Sequence, residues 1–329
     1  MVEINRSDIF HVIDPRQFER ASLDRLCELA TKIRTLAKSV EGSRRLQTLL
    51  AHRRAMLYFT QPSTRTFLSF NNACHVLGIR TSEIRDRSTS SEVKGESFAD
   101  SIRTFSSYVD VIIMRSPHAG RAKEAAELMD RIPRPVPVIN AGSGSDQHPT
   151  QALLDIYTLQ RSFADRSGIE GKTIAMMGDL KRGRTVRSLC RLLKHYPGVS
   201  IVFIAPPAFA MESDVKGFLD KEGIGYRETD TLRPELPNID ALYVTRIQAE
   251  WDTQGESDVI DLSEYCVNPE TIGLMHDEAI VMHPLPRGPE IDPTVDQDKR
   301  AMYWRQERNG MWMRAALLME IFGVSDALS

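Results

Sequence analysis

Cysteine is scarce in this 329-residue chain: Cys27, Cys74, Cys190 and Cys266 are widely spaced and form no paired motif. The spacing shows no paired-cysteine metal signature and fits a reducing cytosol better than a disulfide framework. An excess of charge of one sign is also lacking, because 42 Lys and Arg stand against 45 Asp and Glu, a formal net charge of −3. No global basic field therefore points to nucleic acid or an anionic membrane surface. No apolar run approaches the roughly 20 residues of a membrane-spanning helix, and Met1–Asp8 has no signal-peptide core, so a cytoplasmic protein is expected. Glycine fingerprints fail as well. Gly171-Lys172-Thr173 has Arg166 where a nucleotide loop needs its first glycine and runs into a strand pattern, and Gly142-Ser143-Gly144 lacks the third glycine of a dinucleotide site. No solenoid repeat or low-complexity tract is present.

With 41% apolar and 26% charged residues, the chain is long enough to bury two domain cores. Apolar runs alternate with segments of helical period. An opening helix follows from Leu23, Leu26, Leu29, Ile33 and Leu36. Strands are expected at 55–59, 109–114 and 136–140, with helices at 67–77, 96–107 and 121–129 between and around them. After a helix at 151–162, a second series has strands at 173–177, 201–205, 241–244 and 280–282 and helices at 185–195 and 209–222. Such alternation specifies parallel sheets with helices on both faces. The fold class read from it is α/β, with two doubly wound parallel-sheet domains, residues 1–150 and 151–308, and a final helix from about Gly310 to Phe322 that the pattern alone assigns to neither.

Five short segments follow the strand-like runs: Ser63-Thr64-Arg65-Thr66, His148-Pro149-Thr150-Gln151, Gly183-Arg184-Thr185, Thr245-Arg246-Ile247-Gln248 and His283-Pro284-Leu285-Pro286. Arg115 follows the run Val111–Met114 in the same way. In open α/β sheets, ligands gather at the carboxyl ends of strands, so six strand ends of this kind suggest one site in a cleft between the domains. Ser63–Thr66 also opens a helix, where free N–H groups and the helix dipole favour an anion and Arg65 adds a fork matched to phosphate. Taken singly, each segment has a plainer reading: a helix cap at Ser63, a loop histidine at His148, a solvated loop at Lys94-Gly95-Glu96, an Arg246–Glu250 pair across a helical turn. Met311, Met313 and Met319 read as core filler on the last helix.

Together the segments resemble the carbamoyltransferase superfamily. Ser-Thr-Arg-Thr and His-Pro-x-Gln mark the superfamily, while Arg246-x-Gln248 and His-Pro-Leu-Pro at 283–286 resemble its aspartate branch, the catalytic subunits of aspartate carbamoyltransferases, rather than the ornithine branch. The likeness runs from about Leu57 through Tyr303-Trp-Arg-Gln306 to the last helix. It implies a carbamoyl-phosphate domain, an aspartate domain, a C-terminal helix (309–329) that returns to the first domain, and a homotrimer with shared active sites. By motif, Ser63, Thr64, Arg65, Thr66 and Arg115 would hold the phosphate, with Ser90 and Lys94 arriving from the adjacent subunit. His148, with Thr66 and Arg115, would polarise the carbonyl oxygen. Gln151 and the carbonyls of Pro284 and Leu285 would hold the carbamoyl amide and the attacking amine, and Arg184, Arg246 and Gln248 the two carboxylates of L-aspartate. Lys94 and Leu285 would also touch aspartate. No metal or cofactor is implied, since cationic side chains already neutralise the anions.

Three positions depart from the family pattern: Phe67 replaces a common Arg, Asn71 a common Glu, and Ser116 the His of Arg-His-Pro. The first two remove an Arg–Glu pair together, as a compensated swap would. The resemblance implies transfer of a carbamoyl group from carbamoyl phosphate to L-aspartate, an early step of pyrimidine biosynthesis. Other readings are a carbamoyltransferase acting on another amine such as ornithine, a non-catalytic anion-binding homologue, and an unrelated two-domain nucleotide enzyme, which the failed glycine fingerprints disfavour. Regulatory chains or other pathway enzymes are possible partners.

Overall fold

Short apolar runs form the central strands of two parallel sheets in the computed structural model, which describes residues 9–86, 95–144, 147–247 and 262–328. In the first sheet, β1 (Arg54–Phe59), β2 (Arg80–Ile84), β3 (Val111–Ser116) and β4 (Val138–Ser143) lie in the order β2-β1-β3-β4. In the second, β5 (Thr173–Met177), β6 (Ser200–Ile204), β7 (Gly225–Thr229), β8 (Ala241–Val244) and β9 (Ile280–Met282) lie in the order β7-β6-β5-β8-β9. Every strand pair is parallel. All residues of β3, β4, β8 and β9 are buried, as strands covered on both faces require.

Two of the four edge strands differ. β2 and β7 have no fully buried residue, and both escape a search for apolar runs. Arg115 lies within β3, opposite Phe59, rather than just beyond the strand as expected.

The chain forms two compact units, Met1–Leu154 with Arg308–Ser329, and Asp155–Glu307. In the first, α1 (Arg20–Leu36), α2 (Val40–Leu49), α3 (Thr64–Val76), α4 (Phe98–Tyr108) and α5 (Arg121–Asp130) accompany the sheet. One face of that sheet packs Met56, Tyr58, Ile112 and Met114 against Ile102 and Phe105 of α4 and Ala122, Ala125 and Met129 of α5. α6 (Pro149–Ser162) carries the chain from the first unit to the second. The second unit has α7 (Arg184–Leu193), α8 (Ser213–Glu222) and α9 (Pro269–Gly273), and Ile272 of α9 joins a core of Ala175, Met177, Val202, Ile204, Leu242 and Val244. The helix expected from Phe209 is in fact a 3-10 turn (Pro207–Phe209) followed by α8.

The last helix, α10 (Tyr303–Ile321), starts earlier than its apolar pattern suggests, and its residues from Arg308 onward belong to the first unit. There Arg314, 2% exposed, donates to Ser69 Oγ of α3 and lies 4.9 Å from the Phe70 ring. Arg25 of α1 donates to Glu320 at 3.0 Å. A Cβ on Gly310 would lie 2.7 Å from Arg314 Nη1 and 3.0 Å from Leu154 Cδ2, so the close approach needs glycine.

Candidate active site

Both sheets reverse their winding direction beside the first strand of their series, between β1 and β3 in one and between β5 and β8 in the other. Crevices at the carboxyl ends of such strand pairs are where open α/β folds hold ligands. In the first unit, β1 leads to α3, whose N-cap is Ser63 in extended backbone with no side-chain capping bond. The Ser63 hydroxyl and the first N–H groups of α3 are thereby left to a ligand. Arg65 is half-buried and makes no ion pair among the described residues; Thr64 is exposed and Thr66 buried.

The loop before α3 is tied to β3. Thr60 N donates to the Arg115 carbonyl at 2.9 Å, and its Oγ1 does so at 3.3 Å. The Arg115 side chain, 9% exposed, donates from Nη1 to the Ala141 carbonyl at 3.1 Å. Its neighbour β4 bulges here, since Met114 pairs with Asn140 but Ser116 pairs with Ser143. Bulges re-aim side chains next to functional sites. This one puts Gly142, at φ +104°, where a Cβ would lie 2.8 Å from Arg115 Nη1, 3.2 Å from His148 Cδ2 and 3.4 Å from His148 Nε2. Arg115 and His148 therefore flank one glycine.

His148, 4% exposed, stands just ahead of α6, and its carbonyl accepts from Gln151 N at 3.0 Å and Ala152 N at 3.2 Å. The turn that delivers it is pinned by Asn140, whose Nδ2 donates to the Gln147 carbonyl at 3.3 Å and whose Oδ1 accepts from Gly142 N at 2.9 Å. Gln151 is buried in the first turn of α6.

In the second unit, the loops after β5 and β8 are joined. Thr245 N and Oγ1 both donate to the Met177 carbonyl, at 2.7 and 2.9 Å, and Gly178 (φ +112°) approaches so closely that a Cβ would lie 2.0 Å from the Thr245 carbonyl oxygen. Beyond Gly178, buried Asp179 accepts from Arg182 N at 3.0 Å and shapes the turn into Arg184, the first residue of α7. Arg246 follows β8, and its Cδ lies 3.9 Å from a Cβ built on Gly288. This brings it to the loop after β9, which carries Pro284 and Leu285. Leu285 has φ +54° and precedes a cis proline.

Two groups in that loop were not singled out by the sequence. Arg287 donates to Asp296 and to Tyr303 Oη, and the same contact holds the Asp296 carboxyl below its usual range. Burial, followed by Asp296, pushes the Tyr303 phenol up. Glu290 accepts from His283 Nε2 at 2.8 Å and Gly288 N at 2.7 Å; burial acts to raise its carboxyl, but these bonds outweigh it and the group lies below the usual carboxylate range. Only the seven-residue spacing after His283 could have drawn attention to Glu290. Ser90, Lys94 and Gln248 lie outside the described residues. Among the described residues, no cluster of three His, Cys, Asp or Glu side chains could hold a metal ion, and no helix is long and apolar enough to cross a membrane.

The departures at 67 and 71 have separate structural replacements. Phe67 meets Phe59 edge-on at 5.5 Å and lies under the Arg85 guanidinium at 4.3 Å, and Asn71 Oδ1 accepts from Thr81 Oγ1 at 3.0 Å. Aromatic packing and one bond to β2 thus anchor α3. Ser116 Oγ accepts from His118 N at 3.1 Å.

A two-unit parallel α/β enzyme with cationic and hydroxyl side chains at its strand-order reversals is built to handle small anionic substrates. The chain belongs to the aspartate/ornithine carbamoyltransferase family: the model of its carbamoyl-P binding domain matches residues 11–161, and that of its Asp/Orn binding domain matches residues 170–321. The chain is 41% identical over 323 residues to the chloroplastic aspartate carbamoyltransferase of Arabidopsis thaliana, covering 96% of this chain and 78% of that protein. It is also 41% identical over 313 residues to the aspartate carbamoyltransferase catalytic subunit of Thermococcus gammatolerans, covering 95% and 97%. The structure of Trypanosoma cruzi aspartate transcarbamoylase in complex with carbamoyl aspartate and phosphate superposes with a TM-score of 0.84 at 34% identity, covering 98% of this chain and 99% of that one.

Proposed function

We propose that the chain transfers the carbamoyl group of carbamoyl phosphate to the amine of L-aspartate, giving N-carbamoyl-L-aspartate and phosphate. The observation that carries this reading is the placement of Arg115 and His148 around Gly142, beside the loop that leads to the open N-terminus of α3. Ser63, Thr64, Arg65, Thr66 and Arg115 hold the phosphate. His148, Thr66 and Arg115 face the carbonyl oxygen as negative charge grows on it, where one positioned donor is worth about 2.7–4 kcal/mol. Gln151 and the carbonyls of Pro284 and Leu285 hold the carbamoyl amide and the incoming amine. Arg184, Arg246 and Gln248 bind the two carboxylates.

The amine attacks the carbonyl carbon, the bond to the phosphate oxygen breaks, and the leaving phosphate takes the proton of the amine. Holding the reactants in line supplies a further part of the barrier, up to about 7–11 kcal/mol in favourable systems. Ser90 and Lys94 complete the phosphate site of a neighbouring subunit in a homotrimer, and the cytosol is the site of action; four free thiols support the latter. Two arginine forks suit a dicarboxylate and leave a charge unmatched against a cationic acceptor. Carbamoylation measured with aspartate, ornithine and putrescine as rival acceptors should show aspartate favoured by orders of magnitude. Faster turnover of ornithine would defeat the assignment.

A further inference from the structure

The loop after β9 is held by a buried chain of hydrogen bonds within the second unit. His283, with its ring 1% exposed, accepts at Nδ1 from Leu285 N at 2.7 Å. An accepting Nδ1 carries no proton, so the neutral ring has its proton on Nε2, and that N–H donates to Glu290 Oε1 at 2.8 Å. The same Glu290 oxygen accepts from Gly288 N at 2.7 Å and so closes the loop on itself. On the other side of the motif, His283 N donates to Gln306 Oε1 at 2.8 Å, Gln306 Nε2 donates to Asp155 Oδ1 at 2.7 Å, and Tyr243 Oη donates to Asp155 Oδ2 at 2.9 Å.

Peptide planarity turns this into an aiming device. The Leu285 N–H and the Pro284 carbonyl belong to one trans plane and point in opposite directions, so fixing the N–H on the imidazole fixes the carbonyl away from it. Leu285 itself sits at φ +54°, a conformation that L side chains hold only when their surroundings impose it. We propose that Glu290 and His283 are positioning residues: Glu290 selects the His283 tautomer that accepts from Leu285, and this bond aims the Pro284 and Leu285 carbonyls at the carbamoyl amide and the attacking amine. The inference rests on the carbamoyl-transfer reading for what those carbonyls touch.

The test separates aim from folding, because inorganic phosphate is assigned to residues of the first unit alone. Glu290→Ala should lower kcat and weaken carbamoyl phosphate about tenfold or more, since small misplacements of reacting groups carry such penalties. Inhibition by inorganic phosphate should be unchanged. Glu290→Gln keeps the accepting oxygen and should recover most of the lost kcat. Wild-type kinetics in Glu290→Ala, or equal weakening of phosphate and carbamoyl phosphate, would overturn the proposal.

If Glu290→Ala does not fold, His283 decides. Asparagine places an acceptor where Nδ1 lies and glutamine where Nε2 lies, so His283→Asn should be the more active of the two; the reverse order would count against the Leu285 bond. Should the wild-type protein fail to transfer carbamoyl groups at all, the functional reading falls. Long-range 1H–15N spectra of the imidazoles, assigned with His283→Asn, would still test the dyad. They should show an Nε2–H tautomer in the wild type, and an Nδ1–H tautomer refutes the arrangement.

Discussion

A single glycine sets the spacing of Arg115 and His148 in the first unit. At φ +104°, Gly142 lets the bulged end of β4 pass between Arg115 and His148, and no side chain larger than hydrogen fits there. Gly142→Ala should thus cost at least about tenfold in kcat by displacing Arg115 Nη1, the nearest atom, while the sheet, whose register is fixed by residues on either side, survives. His148→Ala should lower kcat by about a hundredfold or more, because a donor to the developing oxyanion matters most in the transition state. Phosphate inhibition should persist in His148→Ala. Steady-state kinetics on both variants checks the pair, and an unaltered kcat in His148→Ala would reduce His148 to a loop residue. Sequence alone singled out Arg115 and His148 as candidates because each sits beside a strand-like run. It could not identify Gly142 as their spacer, since Gly142-Ser143-Gly144 drew attention only as a failed dinucleotide fingerprint and the bulge arises only when β3 and β4 pair.

Elements were legible where burial is two-sided. β5, β8 and β9 fall where their apolar runs predict them, whereas β2 and β7, each a half-exposed edge strand with Arg and Glu, show no such run. α2 escaped because only Gly42 and Leu46 are buried along it, too few to make a stripe. The start of α10, an exposed Trp304 followed by polar Arg305, Gln306 and Glu307, hid its first turn. Contacts between distant residues were wholly illegible, and the second unit depends on several of them. Five carboxyls between Glu270 and Asp298 are held below their usual range: Glu270 by Arg233, Glu290 by His283 and Gly288, Asp292 by Thr294, Asp296 by Arg287 and Asp298 by Arg300. A folded-state value below the unfolded one, about 4 for such groups, contributes stability that is complete above that value and is lost as pH falls through the folded one. Acidification from neutrality toward pH ~4 and below should therefore loosen residues 262–307 before the first sheet. Hydrogen exchange read peptide by peptide would show this, and Asp296→Asn should flatten the acid dependence while lowering stability at neutral pH. Earlier opening of β1 and β3 would contradict the assignment.

At the scale of the whole molecule, the proposed chemistry draws on more than one chain. The carbamoyl-transfer reading assigns Ser90 and Lys94, in the segment between β2 and α4, to a neighbour's phosphate site within a trimer. A shared site makes a quantitative prediction about mixtures. Arg65→Ala removes the phosphate fork from its own subunit, and Lys94→Ala removes the cation that its subunit donates, so each homotrimer should be nearly inactive. When the two are dissociated and reassociated together, every mixed trimer contains one interface at which an intact Arg65 meets an intact Lys94. Random exchange in equal amounts then leaves about one site in four working across the population. Recovery should require subunit exchange, and it should vanish when both substitutions share one chain. Activity assayed before and after exchange, with hybrid trimers isolated through an affinity tag carried by one variant, tests this. Hybrids that form and remain as inactive as their parents would place Lys94 in its own subunit or outside the site altogether, and the carbamoyl phosphate site would then have to be complete within one chain.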